Sequence, residues 1–259
     1  MEISIKAFKN ASIKIRGFEQ FYLARKPEYF TAYVYIFLIK LDGKYILIDA
    51  GLPVPEKLSF MNKKWVRESG DKNDAFLQEK NEEIPLLLKS EELKPEDINY
   101  VILTHLHLDH IGGLDLFKNA KIIFSRKGWG FFHSSKFPLM APREQIPDYI
   151  LKYIVFNAWD RVYLNEDEEE ILPNIKVFWL GGHSRCSQGI EIMARDKKFI
   201  FCGDVVGTYK NIEENIPIGL VQNLEETLVA MERIKNSGGI IIPSHDPEIL
   251  NRFPDGIII

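Results

Sequence analysis

Four potential metal ligands lie within six residues of the sequence, directly after the apolar run Val101–Thr104. Three imidazoles and a carboxylate are costly to bury at a strand end unless a partner satisfies them, and a divalent cation satisfies all four. Because side chains alternate in an extended segment, His105 and His107 point the same way and can bind one ion. Asp109 and His110 follow on a loop that two glycines allow to turn back toward a second ion. Such close spacing is a specific signal for metal binding, which a single histidine is not.

Three more potential ligands, His183, Asp204 and His245, each follow an apolar run that predicts a strand. Ligands presented on loops at one rim of a sheet are a common way to build a site from distant parts of a chain. The sequence therefore predicts that these side chains converge on the histidine-rich segment. Among the six histidines only His133 falls outside the pattern, and we expect it on the surface or on a lid.

The elements that must position these residues are short apolar strands, separated by helices and by long polar segments. Several runs have the near-continuous apolar character of strands that are covered on both faces. The predicted strands are Tyr45–Asp49, Tyr100–Leu103, Lys121–Ser125, Lys176–Leu180, Lys198–Cys202 and Ile240–Pro243. Helical spacing predicts helices at Pro142–Trp159 and Leu224–Ser237, so strands and helices are mixed along the chain.

Two long segments, Pro53–Asp97 and Lys127–Leu164, exceed what a connection between core elements needs. Long excursions are usually lids or binding loops, so we expect both at the rim of a site. The aromatic residues of the second excursion have two interpretations of similar weight, as walls of a substrate pocket or as packing that holds the excursion to the domain. These residues are Trp129, Phe131, Phe132 and Phe137. The acidic run Glu166–Glu170 is expected to be a solvated turn.

The composition limits the class of protein. A chain of 259 residues, 46% of them hydrophobic, can bury a sizeable core as one large domain or as two fused halves. With 33 basic and 37 acidic residues and no dense run of Lys and Arg, nucleic acid is not expected as a partner. No segment has the apolar length of a signal peptide or a membrane span, which favours a cytoplasmic protein without a membrane partner. Cys186 and Cys202 are too few for a disulfide framework, so we expect two buried or half-buried thiols.

The motif His-x-His-x-Asp-His, followed by a later Gly-Gly-His, Gly-Asp and Ser-His, resembles the metallo-β-lactamase superfamily. The resemblance covers about Tyr45–Asp246 and implies an α/β fold, an αββα sandwich of two mixed β-sheets flanked by helices. It also implies a single domain over 1–259, with rim insertions at about 53–97 and 127–164. In such a fold Asp49 would orient a ligand, although an ordinary strand-to-turn aspartate explains it nearly as well. The implied ligands are His105, His107 and His183 for a first metal, Asp109, His110 and His245 for a second, and Asp204 as a bridge between them.

Within the superfamily, the segment His-Leu-His-Leu-Asp-His-Ile-Gly-Gly is most similar to the N-acyl-homoserine lactone lactonases. That resemblance implies two divalent metal ions and a bridging hydroxide that attacks the carbonyl of a small lactone or ester. Zinc fits the ligands, with iron, manganese or cobalt as alternatives. Tyr209 would contact the carbonyl, and Asp109 would shuttle a proton. A glyoxalase II-like thioesterase, another ester or amide hydrolase, a single-iron oxygenase, a nuclease and a non-catalytic metal protein stay open as alternatives, and so does a homodimer.

Overall fold

The computed structural model describes residues 3–25, 28–137 and 146–259, and within them the strands form two sheets. The strands of the first sheet are β1 Ile3–Arg16, β2 Tyr29–Leu41, β3 Lys44–Ile48, β4 Tyr100–Ile102, β5 Lys121–Ser125 and β6 Val162–Asn165. They lie in chain order, with the first two pairings antiparallel and the other three parallel. The parallel pairings place the carboxyl ends of β3, β4 and β5 at one edge, where such sheets usually bind ligands.

The second sheet is also mixed. Its strands are β7 Glu168–Leu172, β8 Ile175–Trp179, β9 Gln188–Ala194, β10 Lys197–Phe201 and β11 Ile240–Ile242. They lie in the order β11-β10-β9-β8-β7, in which only β10 and β11 are parallel. The carboxyl ends of β10 and β11 therefore also share one edge.

Helices occupy most of the longer connections. The α-helices are α1 Gly17–Gln20, α2 Pro55–Ser69, α3 Ile84–Lys89, α4 Leu108–Ile111, α5 Arg126–Ser134, α6 Asp148–Lys152, α7 Tyr209–Glu213, α8 Leu224–Lys235 and α9 Glu248–Arg252. A π-helical turn, Tyr153–Asn157, continues α6. Short 3₁₀ turns lie at Lys72–Asp74, Lys80–Glu82, Pro95–Asp97, Leu114–Leu116, Trp159–Arg161, Gly203–Val205 and Pro254–Gly256.

The apolar side chains divide into layers that explain this arrangement. Residues of both sheets meet in one buried cluster, where the rings of Phe37 and Phe201 lie 4.8 Å apart. The outer face of the first sheet packs against α3 and α5, through residues such as Leu88 and Trp129. The outer face of the second sheet packs against α8, which buries Met231. Helix, sheet, sheet and helix thus form four layers, and the predicted αββα sandwich is confirmed.

The predicted elements correspond closely to the observed ones. All six predicted strands are present, with ends within one residue of those expected. Helix α8 ends two residues before the predicted limit of Leu224–Ser237. The start of the predicted helix Pro142–Trp159 lies outside the described residues, and from Asp148 the chain is helical.

Two features of the fold differ from expectation. Strands β1 and β2, the longest in the described chain, were not among the predicted strands. The interpretation of Glu166–Glu170 as a solvated turn is wrong, because β7 begins at Glu168 and pairs with β8. Basic side chains on neighbouring elements stabilise this acidic strand at the sheet edge, since Glu168 forms ion pairs with Lys176 and with Arg233.

Candidate metal centre

The structure brings together all seven of the proposed ligands at the edge where β4, β8, β10 and β11 end. They form two groups, and within each group the potential ligand atoms lie within 4.8 Å of one another. The first group is His105, His107, His183 and Asp204, and the second is Asp109, His110 and His245. Residues more than 130 positions apart in sequence thus converge as the sequence predicted.

Asp204 lies between the two groups and presents a separate oxygen to each. Its Oδ2 is 3.6 Å from His105 Nε2 and 3.5 Å from His183 Nε2. Its Oδ1 is 3.2 Å from His110 Nε2 and 2.9 Å from His245 Nε2. A carboxylate placed in this way can contribute one ligand atom to each of two neighbouring cations.

The outer nitrogens of three imidazoles hold hydrogen bonds that fix the ring orientation. In each case Nδ1 donates to an oxygen, which directs Nε2 into the site. The pairs are His110 with the Asp49 carboxylate at 2.7 Å, His183 with the Leu220 carbonyl at 2.6 Å, and His245 with the Tyr33 carbonyl at 2.8 Å. Asp49 therefore orients the imidazole of His110, one of the proposed ligands.

The inner atoms of the site have the character of metal ligands. In the part of the chain that the structure describes, His105 Nε2 and His107 Nε2 are buried and have no hydrogen-bond partner. Buried polar atoms are normally satisfied, so a group of them that faces one point needs a ligand. Imidazole nitrogens and carboxylate oxygens are a donor set that suits zinc and other first-row divalent ions. The residues present therefore fit a pair of divalent cations.

The two groups differ in their electrostatics. Burial, with the neighbouring His183 imidazole, lowers the pKa of His107 to about 3. Burial and the His110 imidazole lower the pKa of His105 as well. In the second group burial acts in the same direction, but the carboxylates outweigh it and raise the pKa of His245 to about 9, with Asp204 as the main contributor. Without a cation, the first group is a set of neutral imidazoles and the second holds protons.

The strand ends that carry these residues need unusual backbone conformations. Asp49 has a φ of 61°, in the left-handed region that is costly for a residue other than glycine. Gly203 has a φ of 51°, and a Cβ at this position would lie 2.9 Å from Thr104 Cβ. Glycine before Asp204 therefore allows the β10 end to approach the β4 end closely.

A cavity of about 800 Å³ opens beside the two groups. His107, Asp109 and His183 reach it, and its volume is within the range usual for small-molecule sites. Apolar side chains form part of the wall and come from β1, from the first excursion and from the loop after α7. These are Ile13, Ile15, Trp65, Phe76, Ile218 and Leu220. The sequence reasoning did not identify the β1 and loop residues; the alternation of apolar residues in β1 was the available signal.

The first excursion forms part of this wall and is fastened to β1. Ser12 and Leu77 exchange backbone hydrogen bonds of 2.8 and 2.7 Å. The Arg16 guanidinium lies 3.0 Å from an Asp74 carboxylate oxygen. The cavity wall on this side is therefore held by main-chain and ionic contacts.

The second excursion has a different relation to the cavity, because none of its described residues lines it. Trp129 is 8% exposed and packs against Phe124, with ring centroids 5.3 Å apart. Phe132 stacks on Trp129, whereas Phe137 is 58% exposed. The aromatic cluster thus mainly packs the excursion onto the first sheet. His133 is exposed, as expected.

Tyr209, the predicted contact to the substrate carbonyl, lies elsewhere. Its ring is buried in the cluster between the sheets with Phe201 and Ile249, under the Arg252 guanidinium at 3.5 Å. Burial raises the pKa of Tyr209 to about 12. Tyr209 is absent from the cavity lining in the part of the chain described, so the structure brings Asp109 but not Tyr209 to the seven-residue site.

Comparison with known proteins agrees with the fold. The model of the metallo-beta-lactamase superfamily matches residues 31–245, and the chain belongs to that superfamily. An N-acyl homoserine lactonase from Bacillus cereus is 27% identical over 205 residues, which cover 78% of this chain and 75% of the relative.

Two solved structures have the same fold over nearly the whole chain. One is an N-acyl homoserine lactone hydrolase with the product N-hexanoyl-L-homoserine at its catalytic metal centre, with a TM-score of 0.76 and 21% identity. The match covers 98% of this chain and 99% of that one. The other is AidC, a dizinc quorum-quenching lactonase, with a TM-score of 0.70 and 16% identity over 99% of this chain and 90% of AidC. Among the described residues, no helix combines the length and the apolar character that crossing a membrane requires.

Proposed function

We propose that this protein is a dinuclear metal-dependent hydrolase that opens a small lactone, with an N-acyl-homoserine lactone as the substrate class. The observation that carries the proposal is the position of Asp204, with one carboxylate oxygen toward each of two ligand groups beside an open cavity. The similarity to lactonases, one of them described with an acyl-homoserine product at its metal centre, supports the substrate class.

The proposed ligands follow from the two groups. His105, His107 and His183 would hold one cation, Asp109, His110 and His245 the other, with Asp204 shared. The dizinc centre named for AidC supports zinc as the metal. When bound, two such cations would lower the pKa of a nearby water and polarise the carbonyl of an ester.

The side chains of the site have defined tasks in this reaction. Asp109 lines the cavity, and the His110 imidazole, aided by His245, outweighs burial and lowers the pKa of Asp109 to about 2. It is therefore ionised at neutral pH and placed to accept the proton of an attacking water and to return it to the leaving alkoxide. The apolar wall, with Trp65 and Phe76, offers a surface for an acyl chain.

Metal content and a substrate panel test the proposal. Protein loaded with zinc is assayed against short-chain and long-chain acyl lactones, a glutathione thioester, an aryl ester and a β-lactam. We expect two metal equivalents per chain and the highest kcat/KM for an acyl lactone. A thioester turned over well without lactone turnover contradicts the substrate class.

Two histidine variants test whether activity depends on the ligand groups specifically. His107→Ala removes a ligand of the first group, and we expect loss of lactone hydrolysis with an unchanged circular dichroism spectrum. His133→Ala is the matched control, because His133 is exposed and outside both groups. Equal activity of the two variants contradicts the proposal.

A further inference from the structure

The hydroxyl of Thr104 lies beside an imidazole of each ligand group. Thr104 is 2% exposed and directly precedes His105 at the end of β4. Its Oγ1 is 2.8 Å from Asp49 Oδ2 and 3.1 Å from His105 Nδ1. Thr104 therefore joins a carboxylate to an imidazole of the first group.

The direction of these hydrogen bonds follows from the groups involved. An ionised carboxylate only accepts, so the Thr104 hydroxyl donates its one proton to Asp49. Its remaining lone pairs then accept the Nδ1 proton of His105. That bond fixes the tautomer of His105 with the Nε2 lone pair directed toward the first group, where Asp204 Oδ2 lies 3.6 Å away.

The same carboxylate serves the second group without an intermediary. Asp49 Oδ2 lies 2.7 Å from His110 Nδ1, whereas Thr104 Oγ1 is 3.5 Å from that nitrogen. We propose that Thr104 is a positioning residue that extends the hold of Asp49 on His110 to His105, so that one buried carboxylate orients an imidazole in each metal site. This inference rests on the two-metal site proposed above.

The main chain around Thr104 lets the role of its hydroxyl be isolated. The Thr104 N–H donates to Asp49 Oδ1 at 2.7 Å, and the Thr104 carbonyl accepts from Gln188 N at 2.9 Å. Neither bond involves the side chain. Thr104→Val keeps the shape and both main-chain bonds and removes the hydrogen bonds of the hydroxyl to Asp49 and to His105.

Metal binding in single-site backgrounds tests the inference. Metal-free His245→Ala protein retains the first group, and metal-free His107→Ala protein retains the second. Each is titrated with Zn²⁺ against a chelator, with and without Thr104→Val. We expect Thr104→Val to weaken zinc binding about 10- to 100-fold in the His245→Ala background, the range usual for partners of metal-bound histidines, and less than about threefold in the His107→Ala background.

Rescue and control variants complete the experiment. Thr104→Ser, which keeps the hydroxyl, restores zinc affinity to within about threefold in the His245→Ala background. Thr208→Val also removes a hydroxyl, one that bonds to Asn211 in a helix cap, and leaves zinc affinity unchanged. If Thr104→Val does not fold, Thr104→Ala removes the same hydroxyl and is measured in both backgrounds.

The outcomes distinguish this inference from the proposed function. Fewer than two zinc equivalents in the unsubstituted protein overturns the two-metal site itself. Two equivalents there, with equal effects of Thr104→Val in both backgrounds, with no effect in either, or without rescue by serine, overturns the role of Thr104 alone.

Discussion

The two ligand groups are built from the same kinds of side chain, yet their imidazoles differ in protonation before any cation arrives. In the first group burial and mutual repulsion lower the pKa values of His105, His107 and His183, so these imidazoles are neutral at pH 7. In the second, carboxylates outweigh burial and raise the pKa values of His110 and His245. A cation entering the first group meets free lone pairs, whereas one entering the second must displace protons.

The largest expected effect comes from removing the residue that the two groups share. Asp204→Asn deprives both cations of a charged ligand, so we expect loss of both metal equivalents and a fall in kcat/KM of roughly a thousandfold or more. Elemental analysis and lactone kinetics measure these changes. Asp167→Asn, at an exposed ion pair with Lys127, is the matched control. Retention of two equivalents in Asp204→Asn contradicts the sharing of this carboxylate.

Removing one histidine from either group is expected to have a smaller and local effect. His107→Ala and His245→Ala should each retain one of two metal equivalents, because each leaves the other group intact. Elemental analysis after dialysis gives the stoichiometry. Loss of both equivalents in either variant shows that the groups fill only as a unit.

The stability of the metal-free protein should depend on pH through the second group. The pKa of His245 rises from 6.5 to about 9 on folding, so its contribution is complete below pH 6.5 and is lost as pH rises through 9. Its full size corresponds to roughly 3 to 4 kcal/mol. Urea unfolding of the metal-free protein should show the free-energy difference from His245→Ala shrinking between pH 7 and pH 10. A constant difference contradicts the protonated state of this imidazole.

The smallest expected effect is a change in the number of protons that zinc binding releases. Zinc binding to the metal-free protein at pH 7 should release protons from His110 and His245, and His245→Ala, which leaves the second group without a cation, should release about two fewer. Calorimetry in buffers of different ionisation enthalpy gives the number. The His107→Ala protein is the comparison, because His107 is already neutral and its loss should leave the proton count unchanged.

The ligand positions could be predicted from short sequence patterns. The hydrogen-bond partners of the ligands could not, because they depend on tertiary contacts. The ligands stood out because His105 to His110 are contiguous and because His183, Asp204 and His245 each follow an apolar run. The partners of His183 and His245 are the backbone carbonyls of Leu220 and Tyr33, which any residue supplies and no side-chain pattern reveals.

The position of Tyr209 and the role of β1 were not predicted, for different physical reasons. Tyr209 was placed by resemblance, and the structure turns its ring into the core, where burial between the sheets decides its position. Strand β1 alternates apolar and polar residues on both sides of a register shift between Lys9 and Ala11, with Ile3 and Ile5 before it and Ile13 and Ile15 after it, and this signal could have been used. Which wall of a cavity such a strand forms follows only from its pairing with β2.

The hydrogen bond from His245 to the Tyr33 carbonyl joins residues 212 positions apart. Contacts of such high sequence separation form late, because a long loop must close before they contribute free energy. The second cation therefore has a complete binding site only after the chain has brought its two ends together. A nascent or truncated chain that ends before β11 lacks His245, so it can offer the histidine cluster of residues 105–110 but not the complete second group.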